Sequence, residues 1–499
     1  MSTFTYSDLI ALDLGKLNAA VTDWKTTVGD LAKLRTDVYD TLVAKSDAAK
    51  WKGVNATVTK DFVRSTAKEF LDLHAEAESI YNVLRDAHDE LTQIQKQAKA
   101  LTDEARRGAP ERSPEPDPGL LVTDGGNGTV KVMEAMCDAK GTSQRTKDMM
   151  QWYADALTGL VSHASEVDAA VTRALKRSHG GDPHNAGHAT YTSLDEDQLP
   201  RAMKLASLGG DANDKQHAEL RRLWQSLSPD GRAELWRGQK EDLLATGILN
   251  PTAKQVAPDR GSGRHAAEKA GWDEFMTQEK MKLLVQGADV QGMSDASRHM
   301  AHYLEGSGEP MDLPVDKMMS DDKGFRSHID RQIVDAQGEW REQALEEFRK
   351  NGGRPVSIPV ETKSADYSFQ QDTDENWYFA VGSARANVTG VVTVVPDASG
   401  QPVVGLDYQA NTWDRYNWDE GKGVTIGPID IPDGQMGRMH TTGLANEFDM
   451  GGSSTVKHYD LGGATPNDTS PPQPDDPGRD GGRTDPGREQ QKRHGSLLR

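Results

Sequence analysis
From Phe70 to Leu101 an apolar residue returns every three or four places: Phe70, Leu73, Ala77, Ile80, Leu84, Ala87, Leu91, Ile94, Ala98 and Leu101. That spacing keeps one face of a helix apolar along its whole length, and such a seam is stable only against other helices. The helical pattern runs from 54 to 107, which at 1.5 Å per residue is about 80 Å of helix. A preceding stripe holds Leu14, Leu17, Val21, Trp24, Val28, Leu31, Val38 and Leu42, interrupted where Arg35 takes a seam position. It predicts a helix over 13–47, about 50 Å long. A third stripe holds Met150, Tyr153, Leu157, Leu160, Ala164, Val167, Val171 and Ala174. Three such seams predict a long antiparallel hairpin completed into a three-helix bundle, with the third helix covering what the first leaves bare. Core packing is the ordinary role of each stripe.

The rest of the chain divides by composition and period. The stretch RRGAPERSPEPDPG is too rich in proline for a helix. LLVTDGGNGTVKV, near 119–133, reads as a β-hairpin turning at Asp124-Gly-Gly-Asn-Gly. Residues 1–178 thus form the hairpin unit and 179–194 a polar linker. Short helical patterns broken by Gly, Pro and Asp predict a second helical domain over 195–352. From 353 to 462 the period changes to alternating β-branched strands, such as ANVTGVVTVV, interrupted by one helix that Asp433 caps. The expected fold class is mainly α with a C-terminal α+β domain: a small antiparallel sheet with one helix. Residues 463–499, rich in Pro, Gly and charge, predict a disordered tail.

Charge and cysteine exclude several functions. A net charge of −20 repels phosphate, so no nucleic-acid partner is expected. The β-rich stretch 365–462 is itself acidic, with 14 Asp and Glu against 5 Lys and Arg, which also disfavours a nuclease there. A single cysteine, Cys137, allows no internal disulfide and no cysteine metal cage. No apolar run is long enough to span a bilayer. The opening MSTFTYSDLIALDLGKL lacks the basic and apolar regions of a cleaved leader. If the chain reaches the medium or the cell surface, the expectation is a leaderless route; otherwise it is a cytoplasmic protein.

At the corner between the first two helices lies Trp51-Lys52-Gly53. Gly53 supplies the backbone freedom a reversal needs, and Trp51 offers a large apolar face to the corner or to a partner. A heptad helix, a Trp-x-Gly at the turn and a second heptad helix together resemble the WXG-type substrates of bacterial type VII secretion and their larger LXG-like relatives, which carry cargo after the hairpin. The resemblance covers residues 1–107 and extends more loosely to 178. It implies that Trp51 and Gly53 are the corner of a secretion and pairing module, whose partner is another helical hairpin or a second copy. In that family a Tyr-x-x-x-Asp/Glu signal follows the second helix; here Tyr81 is followed by Arg85 and Tyr191 by Asp195. The resemblance to toxin-like cargo also implies a possible immunity-protein partner.

Acid and base side chains gather in the C-terminal domain, in NTWDRYNWDEGKG and MHTTGLANEFD. Asp414, Tyr416, Asp419, His440 and Glu447 are the candidate catalytic residues, with Lys422 beside them, because a carboxylate–imidazole pair serves general acid–base chemistry. Packing and turn capping are the competing roles. The segment 377–459 resembles a C-terminal module of actinobacterial and toxin-like multidomain proteins, through Asp-Arg-Tyr-Asn-Trp-Asp and His-x-x-Gly-Leu-Ala-x-Glu. Asp414-Arg415-Tyr416 is also similar to the Asp-x-Tyr-Asp of colicin M-like enzymes that cleave the lipid II pyrophosphate, with Asn417 replacing the second Asp. No cofactor is expected and no metal site is assigned. His179, Asp182, His184 and His188 fall in a glycine-rich linker, and Asp372, Asp374 and Glu375 lack calcium-loop spacing and read as an acidic turn.

Overall fold
The computed structural model describes residues 4–50, 52–107, 119–135, 144–178, 190–251, 261–290, 292–418, 423–426 and 429–462. The chain is mainly helical with a C-terminal sheet. It divides into two compact units, Met1–Ile248 and Leu249–Arg499.

In the first unit the long helix is Val54–Arg107. Before it run Leu14–Asp37, a π-helical turn Val38–Val43 and Ala44–Ala48. The π turn re-phases the seam. Residues 14, 17, 21, 24, 28, 31, 35 and 38 are the half-buried side of this arm, after which the half-buried position is Val43 and not Leu42. Leu42 is 46% exposed. A π turn adds one residue per turn, so the stripe's step from 38 to 42 becomes 38 to 43. Near the corner, Asp47 ties the arms together through Arg64 at 2.9 Å.

The third helix, Gln144–Ser178, runs antiparallel to the long one. Tyr153 Oη donates to Glu104 at 3.0 Å, His163 faces Glu90 at 2.9 Å, and Ser178 shares a hydrogen bond with Ser79 at 2.8 Å. These contacts mark the span it covers, from 104 back to 79. Tyr153, Leu157, Val161, Ala164, Val167, Ala170 and Ala174 fill the seam against Val83, Ala87, Leu91, Ile94 and Ala98. A short helix, Tyr6–Ala11, closes the far end, where Tyr6 Oη meets Thr102 Oγ1 at 2.8 Å and Gln95 Nε2 donates to Leu9 and Leu12 carbonyls. The hairpin Leu120–Gly126 with Thr129–Glu134 packs beside it, with Val130 N donating to Thr158 Oγ1. Its turn uses positive φ at Gly126, Asn127 and Gly128, which glycine and asparagine tolerate.

Further described α-helices of this unit are Asp195–Ala206, Asp214–Ser226 and Pro229–Ala245. Asn213 with Gln216 forms a capping box, and Ser228 caps the helix that opens on Pro229. A charged network fixes the first of them to the third bundle helix. Arg173 Nε and Arg177 Nη1 reach the fully buried Asp197 carboxylate at 2.8 and 2.9 Å, and Arg201 joins Glu166 to Glu219.

The second unit corrects the expected boundaries. The helical stretch 195–352 is not one domain, because its part beyond Ile248 shares a core with the sheet. Phe325, Ile329, Ile333, Ala344 and Phe348 of the helix Lys323–Lys350 lie in one cluster with Val356, Ile358, Val388, Val392, Val404, Leu406 and Tyr408. The sheet is larger than expected, with seven strands among the described residues. Ser383–Pro396 and Pro402–Tyr416 form its central antiparallel hairpin, in register from Arg385 opposite Trp413 to Pro396 opposite Pro402. Val356–Glu361 and Ala365–Ser368 pair with the first of these, and Phe448–Ser453 and Lys457–Asp460 with the second. Met311–Asp312 adds a short parallel edge. Besides the expected helix Asp433–Thr441 there is a second, Glu375–Ala380. On the face away from Lys323–Lys350 the sheet carries a buried amide ladder: Asn411 Nδ2 donates to Asn387 Oδ1 and Thr389 Oγ1, and Gln409 Nε2 to Asn411 Oδ1. The tail expected at 463–499 lies outside the described residues.

Candidate functional site
His440 and Glu447 come together although a turn separates them. His440 ends the helix Asp433–Thr441, and Gly443 at φ 77° turns the chain back so that Glu447 leads into the strand Phe448–Ser453. Both side chains are buried. The Glu447 backbone N–H donates to His440 Nδ1 at 3.1 Å. That bond leaves the imidazole proton on Nε2, which faces the Gly263 carbonyl at 3.1 Å. Glu447 Oε1 accepts from Ser262 N at 2.9 Å, while Oε2 lies 3.7 Å from Arg415 Nε and 3.9 Å from His440 Nε2. Arg415 also holds Asp449 at 3.2 Å.

The groups facing this pair come from a Gly-Ser-Gly loop at 261–263. Gly261 is at φ 54°, and a Cβ there would overlap Glu447 Oε2. Ser262 Oγ donates to the Trp418 carbonyl at 2.9 Å, and a Cβ on Gly437 would strike that hydroxyl. Ala266 N and Glu268 N donate to the carbonyls of His440 and Thr441. The loop is thereby bound to the helix end by both backbone and side chain. A neutral imidazole with both nitrogens engaged, and a carboxylate accepting a backbone N–H, bind a loop in place. His440 has both nitrogens engaged, whereas Glu447 Oε2 is buried with no hydrogen-bond partner among the described residues and so keeps a lone pair.

Tyr416 lies elsewhere, inside the core. It stacks on Phe448 with ring centroids 5.1 Å apart, and meets Tyr303 and Trp418. Burial pushes its phenol well above the ordinary range, so it stays protonated. Asp414 is half-buried on the same strand, opposite Met450. Asp419 and Lys422 lie outside the described residues, as do Trp51 and the histidines 179, 184 and 188. Gly53 is described, at φ 109° immediately before the long helix, the left-handed region that glycine alone adopts freely. In the acidic turn, Asp374 is a helix cap that accepts from Trp377 N at 3.1 Å. Among the described residues no group of three or more His, Cys, Asp or Glu is placed to hold a metal ion.

Sequence reading missed the partners of the pair. Arg415 sits between two candidates but was not singled out, and 261–263 lies more than 170 positions from His440; Gly-Ser-Gly was its only visible signal. It also missed a second charged cluster. Lys317 bridges Asp295 at 2.5 Å and Asp321 at 2.7 Å over the Trp377 ring, while Asn376 Nδ2 donates to Asp295. Two carboxylates hold that ammonium charged, its pKa above the ordinary value even though burial opposes it. Comparison of the chain with protein-family models, with curated proteins and with solved structures finds no match.

Proposed function
We propose that this is a type VII secretion-associated protein whose N-terminal hairpin pairs with a partner hairpin and carries the sheet-containing unit as effector cargo. One observation carries the reading: among the described residues, the hairpin is completed into a bundle only along half its length. The third helix covers the long helix from 104 to 79, and toward the corner Leu34, Tyr39, Leu42, Val54, Val58, Phe62 and Leu73 are exposed. Phe62 is 70% exposed and Val58 61%. An apolar patch of that size on a two-helix stem suits a helical partner.

The test is to follow the full chain in culture medium with and without the secretion ATPase, and to capture its partner with wild-type protein and with Phe62→Ser combined with Val58→Ser. Loss of secretion in the ATPase deletion, and loss of capture in the double variant, are expected. A chain retained in the cell, or a partner indifferent to both substitutions, refutes the proposal.

A second reading has its own support. In it the sheet unit is a non-enzymatic binding or adaptor module, because His440 Nδ1 accepts from Glu447 N while His440 Nε2 and Glu447 Oε1 are taken up by the 261–263 loop. Expression of the full chain in cytoplasm and in periplasm separates the two. Growth arrest abolished by Glu447→Gln with fold retained favours the effector, and unaffected growth in both compartments favours the adaptor.

A further inference from the structure
The helix Trp272–Val290 has two faces with different fates. On one side Met281 is buried, Leu284 and Val285 pack on the core, and Gln278 Nε2 donates to the Leu444 carbonyl at 2.6 Å. On the other side Trp272 is 77% exposed, Phe275 47%, Met276 43% and Leu283 70%. At 100° per residue, Trp272, Met276 and Leu283 fall within about 40° of one another, and Phe275 flanks them. This is an apolar stripe, interrupted by Glu279, on a helix already anchored by its opposite side.

We propose that this stripe is a homodimer interface, in which two copies of the helix pair antiparallel about a two-fold axis near residues 277 and 278. The charges around the stripe select that occupant. Asp273 and Lys280 are both exposed and lie seven residues apart, on one flank; Phe275 and Lys282 lie seven apart on the other. In an antiparallel two-fold pair, residues of the same flank meet across the axis, so Asp273 of one copy faces Lys280 of the next, and Phe275 faces Lys282. Trp272 then packs on Leu283 of the second copy at both ends. Glu279 lies inside the stripe, bound to Lys282 at 2.8 Å, which opposes burial in lipid. At roughly 200 Å² per large side chain, the exposed fractions leave about 500 Å² of apolar surface per copy. Pairing buries about 1,000 Å², the lower end of specific interfaces, and so gives a reversible dimer.

The full chain is examined by sedimentation velocity from low to high micromolar concentration. The wild type should pass from monomer to dimer. Trp272→Ser with Leu283→Ser should raise the dissociation constant by about 30-fold or more, as expected for the loss of anchor side chains. Asp273→Lys and Lys280→Asp should each weaken the dimer, and the two together should restore it. All four positions are exposed, so circular dichroism should be unchanged. A wild type monomeric throughout overturns the proposal. So does a dimer insensitive to these changes, one lost on Phe62→Ser alone, or flotation of the monomer with anionic vesicles that Trp272→Ser abolishes. A swap that fails to recover overturns the antiparallel register and with it the assignment.

Discussion

His299 should make the sheet-containing unit acid-sensitive. Its ring is fully buried, with Nδ1 2.6 Å from the Ala380 carbonyl, and burial lowers its pKa from 6.5 to about 4, the nearby Arg298 charge adding to the effect. A base with a depressed native pKa takes up its proton in the unfolded chain first. The stability it contributes is whole above pH 6.5 and is lost as pH falls through 4. Between pH 7 and 4.5 the loss is about 2 kcal/mol, from the gap of about 2.5 units at 1.36 kcal/mol each, most of it inside the interval. Hydrogen exchange resolved by peptide reads this directly. After correction for intrinsic rates, the strands Ser383–Pro396 and Pro402–Tyr416 should exchange about 30-fold faster at pH 4.5 than at 7. In His299→Gln, whose amide can still donate to Ala380, that component should vanish while stability at pH 7 falls. Equal pH responses of wild type and variant would refute the assignment of acid sensitivity to this imidazole.

Three further outcomes are expected. Asp195 has the opposite sign: burial, opposed by its hydrogen bonds from Ser228, raises its pKa from 3.8 to about 6. The stability linked to it is whole below 3.8 and is lost as pH rises through 6, so acidifying from 7 to 5 should gain about 1 kcal/mol in the first unit, and Asp195→Asn should abolish the gain in peptide-resolved exchange. Asp197→Ala should cost the first unit about 1 to 2 kcal/mol in urea unfolding, since it removes charge-assisted bonds from Arg173, which keeps Glu166 at 2.8 Å, and from the largely exposed Arg177, and unchanged stability would contradict the ion-pair geometry. Gly261→Ala should cost about 2 kcal/mol or more and raise exchange in 261–271, because the added methyl overlaps Glu447 Oε2 and the residue sits at positive φ.

The helices were legible because period alone defines them. The long helix was read at 54–107, as it is found, and the turn at Asp124–Gly128 was fixed by residues that tolerate positive φ. What failed was phase and partnership. Leu42 and Leu73 satisfy the heptad rule yet are exposed, the first because the π turn shifts the seam by one residue, the second because it lies beyond the span the third helix covers. The domain boundary failed for a similar reason. The helix Lys323–Lys350 looks like any amphipathic helix, and nothing in its spacing says that its apolar side faces a sheet that follows it in sequence. The acid–base cluster was legible as residue types and not as geometry. His440 and Glu447 do meet, but Tyr416 goes to the core and the groups that occupy the pair come from a distant loop.

These departures bear on where function resides in the chain. Two cations of the second unit, Lys317 with Asp295 and Asp321 and Lys457 with Asp316, are met by carboxylates within the unit, at a desolvation cost that burying apolar residues would avoid. Such groups fix the loops and helix ends around them. The exposed apolar side chains have no such role within either unit: Phe62 and Val58 on the hairpin stem, and Trp272 and Leu283 on the outward stripe, leave large surfaces in water at a cost that folding alone does not require. Within each unit, then, the buried polar groups account for architecture, and the unpaid apolar surface is where a partner's binding energy is available.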